Sequence, residues 1–372
     1  MKNFIANIAR FFIPLFSFLF LLMLLPLTLL IKSDEIINPD VLIKSQIKEK
    51  KLLGMAYTYP TGYIKLQNTL TKKPEVLALG SSRIMNFRSF FFNAENDFYN
   101  AGGAVQSING FNLFLNELSQ YPKLIIINID QFWFNPNFND PTGLVDLTNS
   151  YSSVDILMDS YKRVYFGLLS SKINLEKING SENNIGMNAI MYDEGFRDDG
   201  SYQYSRIISS PKEAADYLFS DTFDRIEKGN RRFEYGNIVS QKNIEELNKF
   251  LKICENKNIH VVAFLAPFAP SVWDKLVLNE SNYEYIFKLD SKLSQVFKNY
   301  KHNFFNFEDI SKIGVTDLEV IDGVHVSDKA SLKMIIEMCK TDSTLLQYCD
   351  LEKMSELLNN SYSNLELIRE VK

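Results

Sequence analysis

The sequence predicts an α/β protein: a three-layer, doubly wound parallel sheet preceded by one N-terminal transmembrane helix. Three observations lead there. Residues 11–31, FFIPLFSFLFLLMLLPLTLLI, carry no charge. From residue 74 onward, short β-rich runs alternate with stretches of helical spacing. One run, KLIIINIDQFW, is apolar almost without a break, as a strand covered on both faces must be. Strand–helix alternation of this kind builds parallel sheets with right-handed crossovers.

The apolar segment comes first. Its 21 residues extend about 32 Å as a helix, enough to cross a bilayer. Pro14 and Pro26 bend such a helix without barring insertion. Lys2 and Arg10 precede it, and Asp34 and Glu35 soon follow Lys32. That bias places residues 1–10 in the cytoplasm and everything after residue 32 outside, as a single-pass protein. A cleaved signal peptide is the rival reading, but its apolar core is usually shorter. LLIKSDEI also offers no small-x-small cleavage site.

Residues 32–73 read as a stalk and packing segment. EVLALG is a strand ending at Gly80, and NDFYNAGG a second ending in glycines. AVQSINGFNLFLNELSQY has helical spacing through Val105, Ile108, Phe111, Phe114, Leu115 and Leu118. KLIIINIDQFW is the third strand. Residues 136–235 lose the alternation and read as an insertion with one or two helices. The pattern then returns: NIEELNKFLKICENKN helical, IHVVAFLAP a strand, NYEYIFKLDSKLSQVFKNY helical, NFFNFED a strand and SDKASLKMIIEMCK a helix. The α/β domain is thus expected over residues 74–340, with a helical tail over 341–372.

Composition limits the function classes. The net charge is −5 and no long Lys/Arg run occurs, which argues against a nucleic-acid partner. The 29 Phe and 18 Tyr supply a core and leave aromatics to line a groove for a flat ligand such as a sugar. Cys254, Cys339 and Cys349 match no metal spacing, and no His/Cys/carboxylate cluster has ligand spacing, so no metal or cofactor is expected. Cys254 reads as core packing. Cys339 and Cys349 are a candidate pair in an oxidising compartment.

Open α/β sheets bind ligands at the carboxyl ends of their strands. Gly80–Arg83, Ala101–Gly103 and Asn128–Gln131 all fall there. Serine needs a base to become a nucleophile, and a carboxylate to orient that base. Of three histidines, His260 and His302 read as structural, while His325 lies in DGVHVS with Asp322 three residues before it. For Ser82 the plainer alternative is a strand-to-helix turn whose serines cap the next helix. For Asp322 and His325 it is a surface loop.

Gly80-Ser81-Ser82, Asn100-Ala101-Gly102 and Asp322-Gly323-Val324-His325, in that order, resemble the SGNH (GDSL-type) hydrolase superfamily. The likeness covers about residues 74–340, without detail across 136–235. It implies Ser82 as nucleophile, His325 as base and Asp322 as its orienter, with Gly102 and the Ser82 backbone holding the oxyanion. The superfamily's third block is Gly-x-Asn-Asp, whereas this chain has Asn128-Ile129-Asp130-Gln131. A carboxylate at position 130 would repel an oxyanion, and Asn128 or Gln131 is left as the substitute donor. The layout is similar to the anchored, outer-face proteins of alginate acetylation and lipoteichoic-acid D-alanylation. It implies acyl transfer to a cell-surface glycan or glycolipid beside a multi-spanning membrane-bound O-acyltransferase. A non-catalytic accessory that binds glycan or scaffolds such an enzyme, and a plain esterase, are the alternatives.

Further candidates are substrate contacts. Arg83 either pairs with a carboxylate beneath the site or binds an anionic substrate. Trp133, with Phe132 and Phe134, either stacks on sugar or packs in the core. Arg197, in GFRDDGSYQY, belongs to either a substrate loop or a solvated turn.

Overall fold

The computed structural model describes residues 2–56, 60–138, 147, 153–180 and 184–369. The labelled elements are, in chain order, α1 (Lys2–Lys32), α2 (Thr61–Lys72), β1 (Val76–Gly80), β2 (Phe98–Gly102), α3 (Ile108–Asn116) and β3 (Leu124–Ile129). They continue with α4 (Ser153–Leu169), α5 (Gln241–Asn256), β4 (His260–Leu265), α6 (Glu284–Asn299), β5 (Asn303–Asn306) and α7 (Asp328–Cys339). The chain forms two compact units, one of residues 1–60 with 150–195, the other of residues 61–149 with 196–372. This division cuts through the stretch expected as one insertion. Residues 150–195 pack with the N-terminal segment, and residues 196–235 with the sheet.

The first unit is organised around α1. Ala9–Lys32 is the one helix among the described residues long and apolar enough to cross a membrane, with mean hydropathy 2.5. Its far end is clothed: Leu29 and Leu30 pack with Val164, Ile178, Met187, Ile190 and Met191. A buried carboxylate secures the corner beyond it, since Glu35 Oε1 accepts the backbone N–H groups of Ala56 at 2.8 Å and Met187 at 2.6 Å. Leu52–Leu53 pairs in parallel with Asn184–Ile185.

The second unit contains a five-stranded parallel sheet in the order β2-β1-β3-β4-β5. Every residue of β1, β2 and β3 is buried, which explains why β1 and β3 read as mostly apolar runs. Each fully buried Leu or Ile contributes roughly 1.5–3 kcal/mol. Order reverses at β1, which is flanked by β2 on one side and β3 on the other. In open parallel sheets that reversal opens a crevice at the strands' carboxyl ends. Ser81 caps the turn after β1 by accepting the Arg83 N–H at 3.2 Å. Gly80 is required there, because a Cβ would lie 1.8 Å from Asn128 Oδ1.

One buried polar feature of this unit left no trace in the sequence pattern. Lys65 of α2 is fully buried, and its Nζ donates to the carbonyls of Asn100, at 2.9 Å, and Gly200. Burial pushes its pKa well below the ordinary lysine value. Gly200 sits at φ +82°, a region natural to glycine, and a Cβ there would lie 2.1 Å from the Asn100 carbonyl oxygen.

All three cysteines are buried free thiols. Cys339 and Cys349 are neighbours: hydrogen bonding to Cys339, then burial, pushes the Cys349 thiol up. His260 and His302 sit together at the opposite end of the sheet from the crevice. His260 Nε2 lies 2.8 Å from Asp342 Oδ2, and His302 Nδ1 accepts the Val261 N–H at 3.3 Å. Burial, then the nearby His260, pushes His302 down to about 4 from 6.5. The folded chain therefore holds His302 neutral while the unfolded chain protonates it. Stability is expected to be full above pH 6.5, to decline as pH falls toward 4 and to level off below. Urea unfolding against pH checks this, and His302→Asn is expected to flatten the decline by up to about 1.4 kcal/mol per pH unit.

Candidate active site

The crevice brings together residues far apart in sequence. Ser82 opens a short 3-10 turn directly after β1. His325 lies in a loop just before α7, whose first turn is capped by Ser327. Ser82 Oγ and His325 Nε2 are 2.8 Å apart across 243 residues of chain. His325 Nδ1 faces Asp322, 2.7 Å from Oδ2 and 2.9 Å from Oδ1. Asp322 Oδ1 also accepts the N–H groups of Val324 and His325 at 2.9 and 2.8 Å. Burial opposes its charge, but the His325 imidazole and these N–H donors outweigh burial and hold the carboxyl at about 2. It therefore stays ionised and fixes Nδ1 as the protonated nitrogen, leaving Nε2 to accept from Ser82. Side chains of Asp322 and His325 are each 19% exposed, so the pair opens to solvent on one side only.

The histidine loop is stitched to the serine turn. Arg83 Nε donates to the Val324 carbonyl at 3.1 Å, and Asn86 Nδ2 donates to the Val326 carbonyl at 2.5 Å. Asp216 braces the loop from the far side, with its Oδ2 accepting the Gly323 N–H at 2.9 Å.

Arg83 is buried and also lines the pocket beside Ser82, and of its two expected roles the structure shows the pairing. Nη1 donates to Asp130 Oδ1 at 3.2 Å and Gln131 Oε1 at 2.8 Å, and Nη2 donates to the Pro267 carbonyl. Arg83 pairs with the carboxylate beneath the site. This also answers the concern over Asp130: its charge is balanced by Arg83 rather than aimed at a substrate.

The expected oxyanion donors fare differently. The Gly102 N–H donates to Asn100 Oδ1 at 2.7 Å. Asn128 holds the serine turn from below, accepting the Ser81 N–H at 2.9 Å and donating to Ser81 Oγ at 2.9 Å and Asp130 Oδ1 at 3.2 Å. Gln131 Nε2 donates to the Ala266 carbonyl at 2.7 Å. All three groups are engaged in holding the scaffold. The Ser82 backbone N–H, by contrast, donates to no acceptor among the described residues.

Beside Ser82 and His325 opens a pocket of about 430 Å³, walled by Phe132, Phe233, Phe268, Tyr285 and Ile286, with Arg225 and Arg232 at it. Arg225 pairs with Asp221 at 3.2 Å. The Arg232 guanidinium stacks over Phe132, 5.3 Å from the ring centre. Trp133 does not reach this pocket. It is buried in the core, edge-on to Phe111 at 5.8 Å, so the sugar-stacking expectation is corrected: its strand-end turn points inward. Arg197 is also elsewhere. Its Nη1 donates to Ser201 Oγ at 3.4 Å, and it lines a separate cavity of about 350 Å³ with Arg88 and Asp328.

Sequence reasoning missed Phe233, Arg225, Arg232 and Asp216, all within the stretch read as insertion, where no periodicity marks them. Phe268 did leave a signal: it follows β4 in APFAP, at the carboxyl end of a strand. Among the described residues no group of His, Cys, Asp and Glu has metal-binding geometry. The sequence matches no protein-family model and no curated protein.

Glu308 lies under the site, and burial pushes it up to about 8 from 4.5. Because the folded state keeps this proton, the associated stability is present below pH 4.5 and is lost as pH rises through 8. Glu308→Gln is expected to remove that alkaline loss, read from urea midpoints at pH 6 and pH 9. Asp130→Ala is expected to cost about 3–5 kcal/mol at neutral pH by leaving Arg83 buried without its counter-charge, checked by the same unfolding measurement.

Proposed function

We propose that the chain is a membrane-anchored serine acyltransferase or esterase, with a three-layer SGNH-like domain working outside the membrane. The observation that carries this reading is the 2.8 Å approach of Ser82 Oγ to His325 Nε2, with Nδ1 of the same ring held by ionised Asp322. In the first half-reaction His325 takes the Ser82 proton as Oγ attacks an ester carbonyl. The tetrahedral adduct collapses, the leaving alcohol takes the proton from the imidazolium, and an acyl-Ser82 ester remains. In the second half an acceptor hydroxyl or water gives its proton to His325 and attacks that ester. The proton returns to Ser82 as it leaves.

The acceptor of choice is a hydroxyl of a cell-surface glycan or glycolipid, since an anchored enzyme meets such acceptors at high local concentration. The aromatic pocket beside Ser82 offers flat apolar walls for either side of the ester. A multi-spanning membrane-bound O-acyltransferase is the proposed source of the acyl group.

One observation favours a second reading, a non-catalytic accessory that binds glycan or scaffolds an acyltransferase. The Gly102, Asn128 and Gln131 donors are all engaged by the scaffold, which leaves the Ser82 N–H as the oxyanion donor. Losing one such donor costs about 10²–10³ in rate.

A fluorophosphonate probe is expected to label the full chain in detergent at one site, and Ser82→Ala to abolish the label. Asp322→Asn is expected to slow turnover of a p-nitrophenyl ester by about 10⁴-fold through the wrong histidine tautomer. Absence of labelling in the parent chain, with surface ester groups retained in a strain carrying Ser82→Ala, would decide for the accessory.

A further inference from the structure

We infer that α4 lies in the outer interface of the membrane, packed against α1 with Phe166 and Leu169 in lipid. This rests on α1 crossing the bilayer. It names a second lipid contact, in a segment whose sequence gave no sign of one.

The argument begins at Pro26. Proline has no N–H, so the carbonyl four residues earlier, that of Leu22, loses its partner within the helix. The Tyr165 hydroxyl of α4 donates to that carbonyl. One residue on, the Tyr161 hydroxyl donates to the Met23 carbonyl at 2.6 Å. A carbonyl facing water needs no such partner, whereas one facing hydrocarbon does.

Helix length then places this contact. Apolar side chains of α1 are exposed through Leu21 (64%), Met23 (58%) and Leu25 (47%), while protein buries Pro26, Leu29 and Leu30 and leaves Ile31 58% exposed. If lipid stopped before the tyrosines, residues 9–21 alone would span the bilayer. Those 13 residues reach only about 20 Å, short of the hydrocarbon thickness of about 30 Å. Lipid that covers Leu22–Leu25 must also meet α4, which is bonded to the same backbone.

The surface of α4 suits that depth. Phe166 is 68% exposed and Leu169 82% exposed, one helical turn apart. Two tyrosines lie at the helix–helix seam, and Lys162 and Arg163 are exposed beside them. Apolar side chains, interfacial tyrosines and flanking cations together describe a helix lying in the headgroup boundary.

The test places p-benzoylphenylalanine singly at positions 16, 166 and 169 of the full chain, in vesicles of phosphatidylcholine and phosphatidylglycerol. After irradiation, mass spectrometry reads phospholipid adducts. Adducts at all three positions are expected. Adducts at 16 with none at 166 and 169 would overturn the inference while leaving α1 as a membrane span. Absence of adducts at 16 as well would overturn both. All three positions are exposed, so the unnatural side chain displaces no packing.

Discussion

The candidate site depends on one buried guanidinium. Arg83 follows the candidate nucleophile directly and bonds to groups from three other loops: Asp130 and Gln131 after β3, Pro267 after β4, and Val324 of the histidine loop. A planar group with five donors in fixed directions can tie strand ends together in this way, and lysine cannot. Burying it costs desolvation, which Asp130 offsets. Asp130 is therefore the counter-ion of the residue that ties the serine turn to the histidine loop. Asn86 and Arg88, from the same turn, reach Val326 and Asp328 and extend the seam.

Charge at the site is divided by environment. Asp322, with two backbone N–H donors and an imidazole, stays ionised to about pH 2. Glu308, buried beneath the same floor beside Gln131 and Asn306, keeps its proton to about pH 8. One carboxylate thus holds a charge beside His325, while the other adds none beneath it. The pocket beside Ser82 has aromatic walls, and Arg232 stacks on Phe132 at its edge.

Much of this was legible in the sequence because it rests on local chemistry. Buried parallel strands must be apolar throughout, so β1, β3 and β4 declared themselves. Strand ends locate the crevice, and the scarcity of histidine drew attention to Asp322 and His325. What escaped notice depends on tertiary partners. Gly102, Asn128 and Gln131 have the right donors, and only the fold reveals that Asn100, Ser81 and Ala266 already take them. The same holds for Trp133, whose turn points inward, and for Lys65, whose burial contradicts its residue type. Residues 150–195 carried no period that could have separated them from 196–235, and their allegiance to α1 rests on contacts such as Tyr161 with Met23.

The 243 residues between the serine and its base also shape the order of events during folding. Closing so long a loop is entropically expensive. Pairing of the intervening strands brings its ends together and so lowers that cost. Without the assembled sheet, Ser82 has no imidazole beside it. A partly folded chain, with the two ends of that loop apart, would therefore present an ordinary serine hydroxyl.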